Sequence, residues 1–119
     1  MNENENVVKV KSFAFAVRIV NLYKLLSDER KEFIISKQLL RSGTSIGANV
    51  REALNGESKA DFVHKLAIAQ KECDESLYWL ELLKETNYLN ETEYKSISND
   101  ATELLKIIRS IIITSKNKK

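Results

Sequence analysis

Apolar side chains recur every three or four residues along most of the chain, which is the spacing of amphipathic α-helices. Short polar stretches separate four such segments, and the chain contains no proline and only three glycines that could interrupt them. The pattern predicts helices over about residues 8–26, 29–54, 58–86 and from 90 onwards. Four long helices with short connections predict an all-α, antiparallel up-down-up-down four-helix bundle.

The first predicted helix has an apolar face that is wider than one neighbouring helix can cover. Two stripes lie side by side on it: Phe15, Ile19, Leu22 and Leu26, and beside them Phe13, Ala16, Val20 and Tyr23. The fourth helix also has a broad face, with a heptad line that widens at Leu105 and Ile112. We therefore expect both helices to contact more than one neighbour, and to leave surface for other subunits.

Polar residues mark the expected ends of the second helix. Ser27 or Asp28 is placed to cap its N-terminus, because short oxygen-bearing side chains accept hydrogen bonds from the first free N–H groups. At its other end, Asn55-Gly56 predicts a left-handed stop.

The third and fourth helices each begin at a capping signal in the sequence. Ser58 is followed three residues later by Asp61, and Asn90 is followed at the same spacing by Glu93. This is the arrangement of a capping box, in which the two side chains each accept a backbone N–H bond. Both helices are therefore expected to start at these positions.

The centre of the second helix contains an unusual number of small residues, including Gly43 and Gly47. Each mid-helix glycine costs about 1 kcal/mol relative to alanine, so a compensating contact is expected. Close packing of another helix is one interpretation, and a backbone left bare for a ligand or a nucleic-acid phosphate is the other. Ser45 and Asn49 belong to the same packing or interface segment, where a buried Asn49 would define the helix register.

The composition fits one globular domain, which we expect to cover residues 1–119 with residues 1–7 and 116–119 frayed. The chain has a net charge of +2 and a single cysteine, which excludes an internal disulfide framework. Its N-terminus lacks a signal-peptide pattern, and no apolar run approaches the length that crosses a bilayer. A cytoplasmic location without a membrane partner is expected.

Basic residues are unevenly distributed: residues 7–27 contain four and no acid, and residues 89–119 contain six against four acids. Nucleic-acid backbone phosphates would be bound by Lys11, Arg18, Arg41, Arg51, Lys106, Arg109 and Lys116. The other interpretation is that these are ordinary solubilising charges. Arg41 also lies on a polar line with Ser45 and Glu52. That line is either a solvated face or a hydrogen-bonding network at a subunit boundary, with Arg41 paired to a carboxylate.

Catalytic chemistry has little support in the sequence. His64 is the only histidine, so it cannot complete a di-iron bundle site, which needs a Glu-x-x-His motif on two helices. Cys73 is nine residues away and falls on the opposite side of the same helix. No glycine-rich phosphate loop follows a strand. An enzyme is therefore not expected, a cryptic hydrolase or metal enzyme is the least favoured class, and no metal or cofactor is predicted.

Three segments resemble a known bacterial family: residues 41–53 (RSGTSIGANVREA), 58–62 (SKADF) and 72–83 (ECDESLYWLELL). They are similar to the four-helix-bundle proteins encoded in intervening sequences of large-subunit ribosomal RNA genes, and the resemblance covers residues from about 10 to 115. That family is related to the accessory variability proteins of diversity-generating retroelements, which form pentameric barrels, bind nucleic acid and work with a reverse transcriptase. The resemblance implies a homo-oligomer that binds RNA or DNA, and the relation to the accessory variability proteins implies five subunits, a pentamer. No enzymatic activity is established for the family.

Two functions agree with these observations. One is a non-enzymatic nucleic-acid-binding accessory factor of a ribonucleoprotein, with a reverse transcriptase or another protein as its partner. The alternative is a structural or protein-interaction scaffold with no nucleic-acid role. Binding through phosphates predicts an affinity that falls steeply with salt, which separates the two.

Overall fold

The computed structural model describes residues 2–118, which form four α-helices joined by three short connections. The helices are α1 (Glu3–Asp28), α2 (Ile35–Leu54), α3 (Lys59–Glu85) and α4 (Glu91–Asn117). Helices that follow each other in the chain pack side by side, and α4 closes the square by packing against α1. The predicted all-α, up-down-up-down bundle is thereby confirmed, and it measures 50 × 21 × 19 Å.

The core runs along the bundle axis and receives fully buried side chains from every helix, among them Ile19, Ile46, Leu80 and Ile108. Burying one such side chain contributes about 1.5–3 kcal/mol, so these lines are the main source of stability. Two of the buried serine hydroxyl groups pair with each other in the core. The Oγ atoms of Ser42 on α2 and Ser76 on α3 are 2.8 Å apart and share a hydrogen bond.

Helix α1 begins at Glu3, earlier than the Val8 that the apolar spacing predicts. The side chain of Asn2 caps it by accepting a hydrogen bond from the N–H of Glu5 at 2.9 Å. Apolar spacing misses this first turn because the turn contains only polar residues. Residues 3–7 and 116–117 are helical where the sequence predicts fraying, and residues 1 and 119 lie outside the described residues.

Helix α2 begins at Ile35 rather than at the predicted Glu29. The chain turns between the helices at Lys31, whose φ of 57° lies outside the range of a right-handed helix. The prediction that Ser27 or Asp28 caps α2 is wrong, because both residues still belong to α1.

The N-terminus of α2 is capped instead by the buried side chain of Glu32. Its carboxylate accepts hydrogen bonds from the N–H groups of Ile34 at 3.2 Å, Ile35 at 3.1 Å and Ser36 at 2.6 Å. Burial alone would raise the pKa of Glu32, but these hydrogen bonds outweigh it and lower the pKa below the usual value. The ionised carboxylate therefore stabilises the start of α2 by hydrogen bonding and by charge.

Helix α2 ends at Leu54, where the sequence predicts its end, but the predicted left-handed stop at Asn55-Gly56 is wrong. Asn55 has a φ of −99°, and within residues 2–118 no glycine has a positive φ. A Cβ on Gly56 would lie 2.6 Å from Oδ2 of Asp61, the end of a side chain that can move, and 3.1 Å from the carbonyl oxygen of Ala53.

The capping signals of the last two helices lie where the sequence places them. The Oγ of Ser58 accepts a hydrogen bond from the N–H of Asp61 at 3.0 Å. At α4 the box is reciprocal: Asn90 Oδ1 accepts from the N–H of Glu93 at 2.8 Å, and Glu93 Oε1 accepts from the N–H of Asn90 at 2.9 Å. The capping box predicted at Asn90 is therefore confirmed.

Candidate functional site

The two glycines of α2 lie against α1. A Cβ on Gly43 would lie 2.7 Å from Cγ1 of Ile19, and a Cβ on Gly47 would lie 3.3 Å from the carbonyl oxygen of Ser12. Both distances are shorter than ordinary van der Waals contact. A larger residue at Gly43 would therefore force Ile19 or α1 to shift, whereas alanine at Gly47 would require only a small adjustment. The two glycines therefore allow α1 and α2 to pack closely, and α1 covers the glycine face where a phosphate would have to bind.

Ser45 and Asn49 lie one turn apart on α2, and both are half-buried. The side-chain amide of Asn49 donates to the carbonyl oxygen of Ser45 at 2.9 Å and to its Oγ at 3.2 Å. The amide nitrogen is thus satisfied within its own helix. These hydrogen bonds give Ser45 and Asn49 a structural role in α2 that requires no ligand.

Arg41 joins α2 to α3 through two carboxylates. Its guanidinium donates to Oε2 of Glu72 at 3.3 Å and to Oε1 of Glu75 at 2.6 Å. The hydrogen bond that Arg41 donates to Glu75 is the main reason that the pKa of Arg41 is raised. The pairing predicted for Arg41 therefore occurs between two helices of one chain, and its guanidinium is already occupied there.

Lys11 and Arg18 also form ion pairs within the chain, across the seam between α1 and α4. The Nζ of Lys11 lies 2.5 Å from Oε1 of Glu103, and Nη1 of Arg18 lies 2.7 Å from Oδ2 of Asp100. Arg18 donates further hydrogen bonds to the carbonyl oxygen and hydroxyl of Ser96. Exposed pairs of this kind contribute about 0.2–1 kcal/mol each, yet they direct both cations towards α4.

The remaining basic candidates form weaker ion pairs within the chain, or none among the described residues. Arg51 lies over the ring of Phe13, 5.1 Å from its centroid, in a cation–π contact. On α4, Arg109 approaches Asp74 only to 4.0 Å. Within residues 2–118, no carboxylate lies within ion-pair distance of Lys106 or Lys116. The structure thus separates three ion-paired candidates, Lys11, Arg18 and Arg41, from Arg51 on α2 and the three candidates on α4, which are more available.

An exposed apolar stripe runs along the outward face of α1. It consists of Val10, Phe13, Val17 and Val20, which are 60%, 55%, 46% and 36% exposed. We call these four residues the α1 stripe. The two apolar stripes predicted from the sequence contain Phe13 and Val20 but not Val10 and Val17, which extend the apolar surface further round the helix. The available signal is the seven-residue interval between Val10 and Val17, repeated between Phe13 and Val20.

No catalytic constellation is present among the described residues. His64 is exposed on α3, whereas Cys73 is fully buried. Burial raises the pKa of the Cys73 thiol to about 12, so the thiol is protonated at neutral pH and is a poor nucleophile. Residues 2–118 contain no group of three or more His, Cys, Asp or Glu side chains that could hold a metal ion. Over the same residues, no helix has the length and apolar character to cross a membrane.

Comparisons with known proteins identify relatives but no activity. The family model described as 23S rRNA-intervening sequence protein matches residues 4–110. The chain is similar to a protein of unknown function from the S23 ribosomal protein family of Bacteroides thetaiotaomicron, whose crystal structure is known. The two are 61% identical, the match covers 92% of this chain and 97% of that chain, and the TM-score is 0.91. No curated protein matches. The resemblance to the intervening-sequence family is confirmed, and the relation to retroelement proteins stays a prediction.

Proposed function

This chain belongs to the 23S rRNA-intervening sequence protein family, and we propose that it acts as a self-assembling, non-catalytic helical bundle. The observation that carries this proposal is the exposed α1 stripe. Its members are separated by three, four and three residues, which is the spacing of a seam between packed helices. Contiguous exposed apolar surface of this kind is typical of protein–protein contacts.

The occupant that we propose for the α1 stripe is a second copy of the chain. Between residues 10 and 21 the only charged residues of α1 are Lys11 and Arg18, and both are paired with carboxylates of α4. A further charge beside the stripe is Arg51 of α2, which lies over the ring of Phe13. The four side chains of the stripe are themselves uncharged, so they match the same apolar stripe on a second copy. A ring of five chains, which the relation to retroelement accessory proteins implies, would repeat this contact at every boundary.

Native mass spectrometry of wild type and Val17→Asp tests self-assembly. We expect the wild type to appear at a multiple of the 13.7 kDa chain mass, five being the predicted number, and Val17→Asp to dissociate. The matched control is Ile113→Asp on α4, since Ile113 is 61% exposed and the charge change is identical. A monomeric wild type, or equal dissociation of both variants, would overturn the proposal.

The second candidate function is binding of RNA or DNA through the outward face of α4, as a ribonucleoprotein accessory factor. A specific observation favours it: residues 104–119 contain five basic residues and no acidic one. Lys106, Arg109 and Lys116 share one exposed face of this segment. Contacts from these side chains would go to backbone phosphates with little sequence readout. Partnership with a reverse transcriptase or another protein stays a prediction from the resemblance.

Fluorescence anisotropy with a labelled single-stranded RNA, measured over a series of salt concentrations, tests the α4 surface. We expect the double variant Lys106→Gln/Arg109→Gln to bind more weakly, with a salt slope lowered by about 0.7 for each lost phosphate contact. Lys24→Gln/Lys37→Gln is the control, because it removes the same charge from exposed positions on α1 and α2. Equal weakening by both variants contradicts the α4 surface. If the wild type binds no RNA at low salt, the alternative function is favoured, namely a structural or protein-interaction scaffold with no nucleic-acid role.

A further inference from the structure

A shallow depression lies between the beginning of α3 and the end of α4. Its volume is about 720 Å³, which is in the range of small-molecule sites. Six residues line it: Lys59, His64 and Lys116, which are basic or polar, and Ala60, Val63 and Ala67, which are apolar. A depression with an apolar floor and nitrogen donors around it can hold a ligand that has both a flat ring and a negative charge.

The charge of this depression favours an anion. Within the described residues no acidic side chain lines it, and Glu5 lines a separate, neighbouring depression. The amino group of Lys59 donates to the carbonyl oxygen of Lys118, which brings it to the end of α4. An ammonium group has three N–H donors, so two remain for a ligand. Lys59 also lines the neighbouring depression that contains Glu5. Among the described residues, however, Lys59 and Lys116 are the only lysines that line this depression, and no acid lines it, so its charge matches that of a phosphate.

The floor and His64 favour a planar ring beside that phosphate. Ala60, Val63 and Ala67 follow each other at three- and four-residue spacing, so they lie on one face of α3. Ala60 and Ala67 are exposed, and their short side chains leave the floor open. Unstacked bases bind to apolar floors and to aromatic or imidazole rings in this way.

We propose that this depression, which we call the α3–α4 pocket, binds one nucleotide of a single-stranded RNA or DNA. The phosphate lies on Lys59 and Lys116, and the base lies on the floor beside His64. This inference rests on the nucleic-acid function proposed above and gives it a location. Lys106 and Lys116 are about 15 Å apart along α4 at 1.5 Å per residue, so a strand that follows the α4 surface ends in the pocket.

The single histidine provides a direct test. His64 is the only imidazole in the chain, so its ring resonance in an NMR spectrum reports on the α3–α4 pocket without assignment of the rest. A nucleoside monophosphate should shift this resonance saturably, at lower concentration than either the free nucleoside or inorganic phosphate. A resonance that does not move at low salt overturns the pocket.

Two variants separate the pocket from the α4 surface. Ala67→Gln fills the floor without changing charge, and its exposed helical position preserves the fold. We expect about tenfold weaker RNA binding with an unchanged salt slope, because stacking is lost and phosphate contacts are kept. Lys59→Gln should weaken binding and lower the slope by about 0.7, whereas Lys37→Gln is the charge-matched control.

The failure of this inference is distinguishable from the failure of the function on which it rests. If wild type binds RNA, and both the imidazole resonance and the affinity of Ala67→Gln are unchanged, the pocket is overturned and the α4 surface stands. If wild type binds no RNA at low salt, both are overturned.

Discussion

Replacing Gly43 by alanine tests whether close approach of α1 and α2 is the reason for glycine in this helix. In an isolated helix the substitution would stabilise by about 1 kcal/mol. In the bundle, the new Cβ would lie 2.7 Å from Cγ1 and 2.9 Å from Cγ2 of Ile19. Ile19 is fully buried, and its own Cβ would lie 3.2 Å from the new atom, so either the Ile19 side chain or α1 must shift.

Overpacking of this kind costs about 1–3 kcal/mol, which exceeds the gain in helix propensity. We therefore expect Gly43→Ala to lower the free energy of unfolding by up to about 2 kcal/mol. Gly43→Leu should prevent the native packing of the two helices altogether. At Gly47 the new Cβ would meet the Ser12 carbonyl oxygen at 3.3 Å. This is a milder clash, so Gly47→Ala should remain within about 1 kcal/mol of wild type.

Urea unfolding followed by far-UV circular dichroism, at one protein concentration, measures these differences. A double-mutant cycle with Ile19→Ala isolates the contact, because that change removes both Cγ atoms that the new Cβ would meet. In the Ile19→Ala background, Gly43→Ala should become neutral or stabilising. The reasoning is refuted if Gly43→Ala stabilises the otherwise wild-type protein by the full helix-propensity gain.

Two further predictions concern buried titratable groups. Glu32→Gln should lower the free energy of unfolding by about 1–2 kcal/mol near neutral pH, because the carboxylate caps α2. The hydrogen bonds lower the folded pKa of Glu32, so this advantage is present above the unfolded pKa and is lost as pH falls through the folded value. Urea midpoints of the two proteins should therefore converge in acid, and a constant difference would contradict this. Cys73, whose thiol pKa burial raises to about 12, should react with a thiol reagent near pH 8 only after unfolding. Equal labelling rates in native buffer and in urea would count against its burial.

Local signals in the sequence were sufficient for helix identity and for the starts of α3 and α4. The capping box between Asn90 and Glu93 involves residues three apart, so its geometry depends only on the first turn of α4. The start of α2 was mispredicted because its cap is Glu32, a residue type outside the usual capping set. The long carboxylate can reach the helix only because the turn at Lys31 and burial of Glu32 hold it there.

The availability of the candidate binding residues depended on the fold more than the helix starts did. Arg18 and Lys106 are equivalent as sequence features, yet Arg18 lies beside Asp100, and no acid lies within ion-pair distance of Lys106 among the described residues. The acid that neutralises Arg18 is eighty-two residues away in the chain, so no local pattern indicates it. The α3–α4 pocket likewise combines Lys59 and Lys116, which meet only because α3 and α4 are antiparallel neighbours.

The sequence by itself determined that four amphipathic helices form, because apolar periodicity is a property of consecutive residues. It also determined the family, because the matching segments can be compared as sequences alone. The tertiary structure decided which cations are neutralised, which apolar stripe of α1 stays exposed and where a depression opens. These features depend on the rotation and relative height of packed helices, and those are set by the packing of the whole core, including the contact of Gly43 with Ile19.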